Sequence, residues 1–116
     1  MTLRTFVRTH LFRDETWSEG EARPRELLLA ALGACTGRAI EALARRRAWD
    51  LGDVAIEISH VERDGRTGIG RLVHVDAALD DAQRAELERA CEDTPVTRVL
   101  SRGARITTRV LTTETV

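Results

Sequence analysis

Hydrophobic and polar positions in the first half of the chain predict a strand, a loop and a long helix. The segment 3–12 alternates apolar with polar residues and is rich in Thr, Val and Phe, which is typical of a strand. The segment 14–23 is polar and contains Gly20, so we expect a loop there. Pro24, followed by two charged residues, opens a helix that we expect to run to about Ala48.

The predicted helix has two unlike halves. From Leu27 to Cys35 no residue is charged, so a helix there is without a polar face. From Arg38 onward charged residues return, and three arginines (45–47) end the helix where its dipole favours cations. We therefore expect the first half to be buried all round and the second half to reach solvent.

A β-hairpin is predicted after the helix. Apolar residues alternate with more polar ones over 54–59, Asp64-Gly65 is a turn signal, and 69–79 is again strand-like. Symmetric folding about the turn matches the apolar faces of the two strands. The predicted pairs are Val54–Ala77, Ile56–Val75 and Ile58–Val73.

The last third of the chain predicts a helix, a break and a closing strand. Asp80 with Gln83 three residues later forms a capping box, and the helix breaks at Thr94-Pro95. A short turn or helix (95–100) and a strand (104–112) follow. The order β-α-β-β-α-β indicates a single α+β domain over residues 1–116.

Composition narrows the class of protein. The 116 residues carry 18 basic and 19 acidic side chains, and this balance disfavours a nucleic-acid or membrane-surface binder. No uninterrupted apolar run approaches the roughly 18 residues of a membrane span, and no signal peptide is evident, so we expect a cytoplasmic protein. Lys, Asn and Tyr are missing altogether, which favours a GC-rich bacterial genome.

Histidines and cysteines are the candidates for chemistry. The predicted pairing puts His74 across from Glu57 and His60 across from Arg71 on opposite faces, while His10 stands alone; we expect surface histidines and neither a metal nor another cofactor. Cys35, in the sequence LGACTG, is either a small apolar core residue or a reactive thiol.

One stretch resembles the central-helix motif of a known family. It is PRELLLAALGACT at residues 24–36. The resemblance continues upstream at 13–15 and downstream over 49–59, 94–100 and the predicted closing strand, so it spans nearly the whole chain. The chain thus resembles the OsmC/Ohr family, the osmotically inducible protein C and organic hydroperoxide resistance proteins.

The resemblance implies both a fold and an activity. The fold is OsmC-like: a long buried central helix packed against curved antiparallel sheets in an intertwined homodimer. The activity is thiol-dependent reduction of organic hydroperoxides, a peroxiredoxin-like defence against oxidative stress. A peroxidatic cysteine on the central helix acts there with a resolving cysteine, a glutamate and an arginine.

Carried over by position, the resemblance assigns roles to few residues. Cys35 matches the peroxidatic cysteine. The resolving position, directly before the Pro-Val motif, holds Thr94, and Cys91 three residues earlier either substitutes for it or belongs to the core. The hydroperoxide reductases place a glutamate directly after the proline of the helix motif, where this chain has Arg25 and then Glu26.

The family's arginine comes from an N-terminal hairpin, and no arginine here matches it by position. The arginines that could supply a cation near Cys35 instead are Arg8, Arg13 and Arg25. We expect an enzyme, a thiol peroxidase supplied by a thiol reductant. Two alternatives stay open: a catalytically altered relative that binds a small apolar ligand or carrier in the dimer pocket, and an interaction protein with two inert thiols.

Overall fold

A long helix packed on a three-stranded sheet forms the centre of the molecule. The computed structural model describes residues 2–11 and 19–113. The elements are, in chain order, β1 (Thr2–Leu11), α1 (Glu19–Arg47), β2 (Asp53–Arg63), β3 (Arg66–Val75), α2 (Asp81–Glu92) and α3 (Pro95–Arg102). The α+β class predicted from the sequence is confirmed.

The sheet has the strand order β1-β2-β3 and is mixed. β2 and β3 form the predicted antiparallel hairpin, whose two-residue turn Asp64-Gly65 has φ values of 51° and 74°. Two positive φ values match the right-handed twist of the flanking strands. β1 runs parallel to β2, because α1 connects them and returns the chain to the same end of the sheet. The expectation of antiparallel pairing is therefore right for the hairpin and wrong for β1.

The predicted hairpin register is wrong by two residues. Val54 lies opposite Val75, Ile56 opposite Val73 and Ile58 opposite Arg71. The turn is centred between Asp64 and Gly65, one residue earlier than the predicted pairing required. Because side chains alternate with a period of two, this shift leaves every residue on its predicted face. The buried side of β2 is the predicted one.

One face of α1 is buried, and the others are not. Among the described side chains, the core consists of apolar residues from α1, β2 and α2 and the connection after α1: Leu29, Leu32, Ile40, Leu43, Ala44, Leu51, Val54, Ile56, Ile58, Leu87 and Cys91. In contrast, Leu27 is 61% exposed and Leu28 is 47% exposed. Within the described residues, the sheet and helices of the single chain cover one side of the uncharged half, so its burial all round stays a prediction that requires a partner subunit.

α1 begins earlier than predicted. It starts at Glu19 rather than Pro24, so residues 19–23 of the predicted loop are helical, and 14–18 lie outside the described residues. The helical stretch Glu26–Arg47 is long enough to span a membrane, and an 18-residue window within it has a mean hydropathy of 1.5, although the core helix of a globular domain has the same composition.

The end of the chain differs from its prediction. The capping box of Asp80 and Gln83 is present, and α2 ends before the predicted break. After α3 the described residues 103–113 form no strand, although a strand was predicted over 104–112. Ile106, Val110 and Leu111 are 80% exposed or more. A strand forms only where a neighbouring strand pairs with it, and this segment lies against none within the described chain.

Candidate functional site

Cys35 lies on α1 and is half-buried. It follows Leu28 by seven residues and Leu32 by three, so helical periodicity places it on the same side of α1, one turn further along. The next residue, Thr36, is fully buried. Cys35 thus lies at the margin between the core face of α1 and its exposed side, where a sulfur is reachable from solvent.

Cys91 lies in the last turn of α2 and is 5% exposed. Burial raises the pKa of the Cys91 thiol above its ordinary value of 9.0, and the carboxylates of Glu92 and Glu88 act in the same direction. The guanidinium of Arg71 opposes them by lowering it. The net effect is a raised pKa, so Cys91 is held as a protonated thiol at neutral pH.

Arg71 on β3 connects three helices through its guanidinium. Nη1 donates to the hydroxyl of Thr36 on α1 at 3.0 Å and to the hydroxyl of Thr97 on α3 at 2.9 Å. Nη2 lies 3.3 Å from the carboxylate of Glu92 on α2. The Arg71 side chain is only 12% exposed. A cation so little hydrated attracts anions more strongly than a surface arginine does.

The hydroxyl network continues from Arg71 to position 94. Thr94, the N-cap residue of α3, donates to the Thr97 hydroxyl at 2.7 Å and accepts from the Thr97 backbone N–H at 3.2 Å. The Thr97 hydroxyl in turn donates to the carbonyl of Cys91 at 3.3 Å. A continuous chain of hydrogen bonds therefore joins position 94 to Thr36, the neighbour of Cys35.

A cavity of about 640 Å³ lies against this network. Among the described residues, its wall combines five apolar side chains with five polar or charged ones. The lining residues are Leu28, Leu29, Leu32, His60, Ile69, Arg71, Glu92, Thr97, Leu100 and Ser101. A second cavity of about 460 Å³ has Cys91 in its wall. Both cavities include Arg71 and Glu92, so this ion pair separates them.

The other predicted site residues belong to the first part of α1, to β1 or to a segment outside the described residues. Glu26 is exposed on the first part of α1, and Arg25 precedes it in the same helix. Of the other cations considered, Arg8 belongs to β1 and Arg13 lies outside the described residues.

The structure places His60 and His74 on opposite faces of the sheet, and His60 is buried. His60 is 5% exposed and lines the larger cavity, so the expectation of a surface histidine is wrong for it. Its position on β2 has the same parity as Val54, Ile56 and Ile58, which face the core. His74 lies opposite Ala55 but contacts its diagonal neighbour Glu57 at 3.6 Å on the outer face.

Sequence reasoning missed Arg71, Thr36 and Thr97. The alternation of side chains along β3 could have identified Arg71. It lies on the same inward-facing side of the strand as Val73 and Val75, where a charged residue is unusual. No pattern in the sequence marks the two threonines. In the described parts of the chain, no three His, Cys, Asp or Glu side chains lie close enough to hold a metal ion.

Comparison with known proteins gives a family and one solved relative. The model of the family described as OsmC-like protein matches residues 18–109. The fold is similar to the crystal structure of a Psychrobacter arcticus 273-4 protein assigned to the osmotic stress induced and detoxification response, with a TM-score of 0.57 and 20% identity. The similarity covers 65% of this chain and 57% of that protein's length. No curated protein matches the sequence.

Proposed function

Because the chain belongs to the OsmC-like protein family, we propose that it acts in a stress or detoxification response as a thiol peroxidase for organic hydroperoxides, with Cys35 as the attacking thiol. The resemblance seen in the sequence is confirmed by the family match over residues 18–109. The observation that supports the activity is the position of Cys35: half-buried on α1, next to a threonine held by a largely buried guanidinium.

The proposed reaction balances with two thiols and one hydroperoxide. The Cys35 thiolate attacks the terminal oxygen of the hydroperoxide, the O–O bond breaks, and the alkoxide leaves as an alcohol after taking a proton. Cys35 is then a sulfenic acid. A second thiol condenses with it, releasing water and forming a disulfide, which an external dithiol reduces to restore the starting state.

Cys91 and an external thiol are the two candidates for the resolving step. Cys91 is buried and protonated at rest, which suits a residue that reacts only after Cys35 has been oxidised. It lies in the last turn of α2, directly before the break between α2 and α3. Helix ends open more easily than helix centres, so this location favours a thiol that becomes available by local unwinding.

We also propose that the working form is a homodimer. Apolar side chains of α1 and of the segment 103–113 are uncovered in the single chain, Leu27 at 61% and Ile106 at 88% exposed. Obligate interfaces resemble a domain core cut in half, and a second copy supplies cover of the same apolar character. The dimer also places more protein beside the half-exposed face of α1 that carries Cys35.

The test is consumption of tert-butyl hydroperoxide with dithiothreitol or a dihydrolipoyl donor. Wild-type protein is expected to consume it, and Cys35→Ser is expected to remove the activity while circular dichroism stays unchanged. Cys91→Ser is expected to slow turnover or to make it depend on the added thiol. Absence of activity in the wild type with both reductants would contradict the peroxidase function.

A second candidate function is favoured by the cavity. Its volume, about 640 Å³, lies in the range of small-molecule sites, and its wall combines apolar side chains with polar ones. A relative whose catalytic positions depart from the family pattern can use such a cavity to bind a small apolar ligand. Ligand binding in the absence of any hydroperoxide tests this candidate independently of peroxide consumption.

A further inference from the structure

The larger cavity presents one strong polar anchor. Among the lining residues that the structure describes, Arg71 is the only one that is permanently cationic, and Glu92 is the only carboxylate. Five leucine and isoleucine side chains form the apolar part of the wall: Leu28, Leu29, Leu32, Ile69 and Leu100. The cavity is therefore amphipathic, with its polar group at Arg71.

Arg71 has unused capacity to donate hydrogen bonds. An arginine side chain carries five N–H donors. Two N–H···O contacts go to Thr36 and Thr97 through Nη1, and Nη2 faces Glu92. Within the part of the chain that the structure describes, these are the only partners of the guanidinium, so N–H groups remain for a ligand. Bidentate binding of a carboxylate is the contact for which this planar group is best suited.

Glu92 is a counter-ion that a ligand can displace. Its side chain is 72% exposed, and its carboxylate lies 3.3 Å from Nη2, longer than a good charge-assisted hydrogen bond. Moving an exposed carboxylate from this distance into water costs little, since exposed ion pairs contribute little to stability. Arg71 itself stays in place, because Thr36 and Thr97 hold Nη1 from two helices.

We propose that Arg71 binds the carboxylate of a monocarboxylic acid whose hydrocarbon chain fills the 640 Å³ cavity, and that this carboxylate replaces Glu92 as the partner of the guanidinium. The inference rests on the ligand-binding candidate and does not require peroxidase activity. One guanidinium balances one negative charge, so a monoanion fits the site better than a phosphate ester with two.

The experiment compares an acid with its uncharged ester. Decanoate and methyl decanoate have the same hydrocarbon chain and differ in the charge of the head group. Each is added to reduced wild-type protein carrying Nile red, an uncharged apolar fluorophore, and displacement of the dye gives the dissociation constant. Decanoate is expected to bind about tenfold more tightly than the ester, since hydrogen bonds to charged groups are the stronger class.

Three variants locate the head group of the ligand. Arg71→Gln is expected to remove the preference for the acid, whereas Glu92→Gln is expected to tighten decanoate binding severalfold and leave the ester unchanged. Arg84→Gln is the matched control, because Arg84 lines the smaller cavity and not the larger one. The affinity for either ligand should therefore stay unchanged in this variant. If Arg71→Gln unfolds by circular dichroism, Glu92→Gln alone decides the question.

A fourth variant locates the hydrocarbon chain. Leu28→Trp, at a position 47% exposed at the cavity wall, is expected to weaken both ligands alike. Equal affinity of wild type for acid and ester, or an unchanged preference in Arg71→Gln, would overturn the carboxylate assignment and leave the apolar-ligand candidate intact. If neither compound displaces the dye, the carboxylate assignment and the apolar-ligand candidate are both wrong. The proposed peroxidase activity is tested separately by peroxide consumption, which neither result affects.

Discussion

At the scale of single residues, Arg71 determines the polar organisation of the candidate site. It contacts hydroxyls from α1 and α3 and a carboxylate from α2, although it belongs to the sheet. The cation lies between the turn that carries Cys35 and the turn that carries Cys91. Its electrostatic effect on Cys91 is a lowering of the pKa, which burial outweighs.

Thr94 has a structural role that its substitution must disturb. Its hydroxyl caps α3 by accepting from the Thr97 backbone N–H. Thr94→Cys is expected to lower the free energy of unfolding by about 1 kcal/mol, because a thiol is a weak acceptor, whereas Thr94→Ser keeps the cap and should change it little. Urea denaturation of both variants measures the difference. Equal stability of the two would contradict the capping role.

The same substitution tests the peroxidase proposal. If position 94 lies beside Cys35, Thr94→Cys should form a peroxide-induced disulfide with it faster than wild type forms one between Cys35 and Cys91. The required Cα separation is about 4.4–6.8 Å. Mass spectrometry without reduction, after one equivalent of hydroperoxide, identifies the bond. Over-oxidised Cys35 alone in the variant would place residue 94 elsewhere, and an equally fast Cys35–Cys91 bond in wild type would assign resolution to Cys91.

Cys91 should make folding stability fall at alkaline pH. The folded thiol has a pKa above 9.0, so its contribution to stability is complete below pH 9 and is lost as the pH rises through 9 toward the folded value. The chain has neither Lys nor Tyr, so cysteines are the only side chains that titrate between about pH 8 and 11. Urea midpoints at pH 7 and pH 10 should differ less in Cys91→Ala than in wild type. An identical pH dependence would contradict this effect.

At the scale of elements, tight connections fix how the helices and strands meet. Asp80 and Thr94 cap the starts of α2 and α3, and Asp64-Gly65 joins β2 to β3. The connection from α1 to β2 passes through Gly52, which has a φ of 63°. A Cβ atom at Gly52 would lie 2.6 Å from the backbone carbonyl oxygen of Asp76, so this connection requires glycine for two reasons.

Gly52→Ala and Gly65→Ala form a matched pair that separates these reasons. Both glycines have positive φ, but a Cβ at Gly65 meets nothing within 4 Å. Gly65→Ala is expected to cost about 1 kcal/mol from backbone strain alone. Gly52→Ala should cost about 3 kcal/mol or more, because a steric clash with a backbone atom is added. Thermal denaturation measures both, and equal losses would contradict the close approach of Asp76.

At the scale of the whole molecule, the single chain is less compact than its length predicts. The radius of gyration is 17.9 Å, whereas a closed domain of this length has about 13 Å. The segment 103–113 and the apolar side of α1 contribute surface that the chain itself leaves uncovered. An extended chain with uncovered apolar segments is typical of a protomer that completes its core with a partner.

The proposed homodimer should be measurable by sedimentation at micromolar concentration, with about twice the 12.9 kDa chain mass. A double variant, Ile106→Asp with Val110→Asp, is expected to shift the protein toward monomer, because charges then occupy the apolar positions of the segment. Thr107→Asp adds a charge at the intervening polar position and is expected to shift it less. The proposal would be contradicted by a monomeric wild type. It would also be contradicted if Thr107→Asp shifted the protein toward monomer as much as the double variant does.

The sequence by itself determined what depends on neighbouring residues. The helix, the hairpin turn, the capping box of Asp80 and the break at Pro95 follow from periodicity and turn chemistry within a few residues of each feature. The inward face of β2 was predicted correctly even though its register was not. Side chains alternate between the two faces of a strand, so a register shift of two residues leaves each of them on the same face. The family followed from motifs that stand in order along the chain.

Only the tertiary structure decided what depends on residues far apart in the chain. The parallel pairing of β1, the burial of His60 and the lack of strand structure in the described segment 103–113 each depend on which elements become neighbours. Arg71 lies 35 residues from Thr36 and 26 from Thr97, so no local pattern marks the site that they form. Spacing along the chain specifies contacts within an element, whereas a site between elements exists only once packing has brought them together.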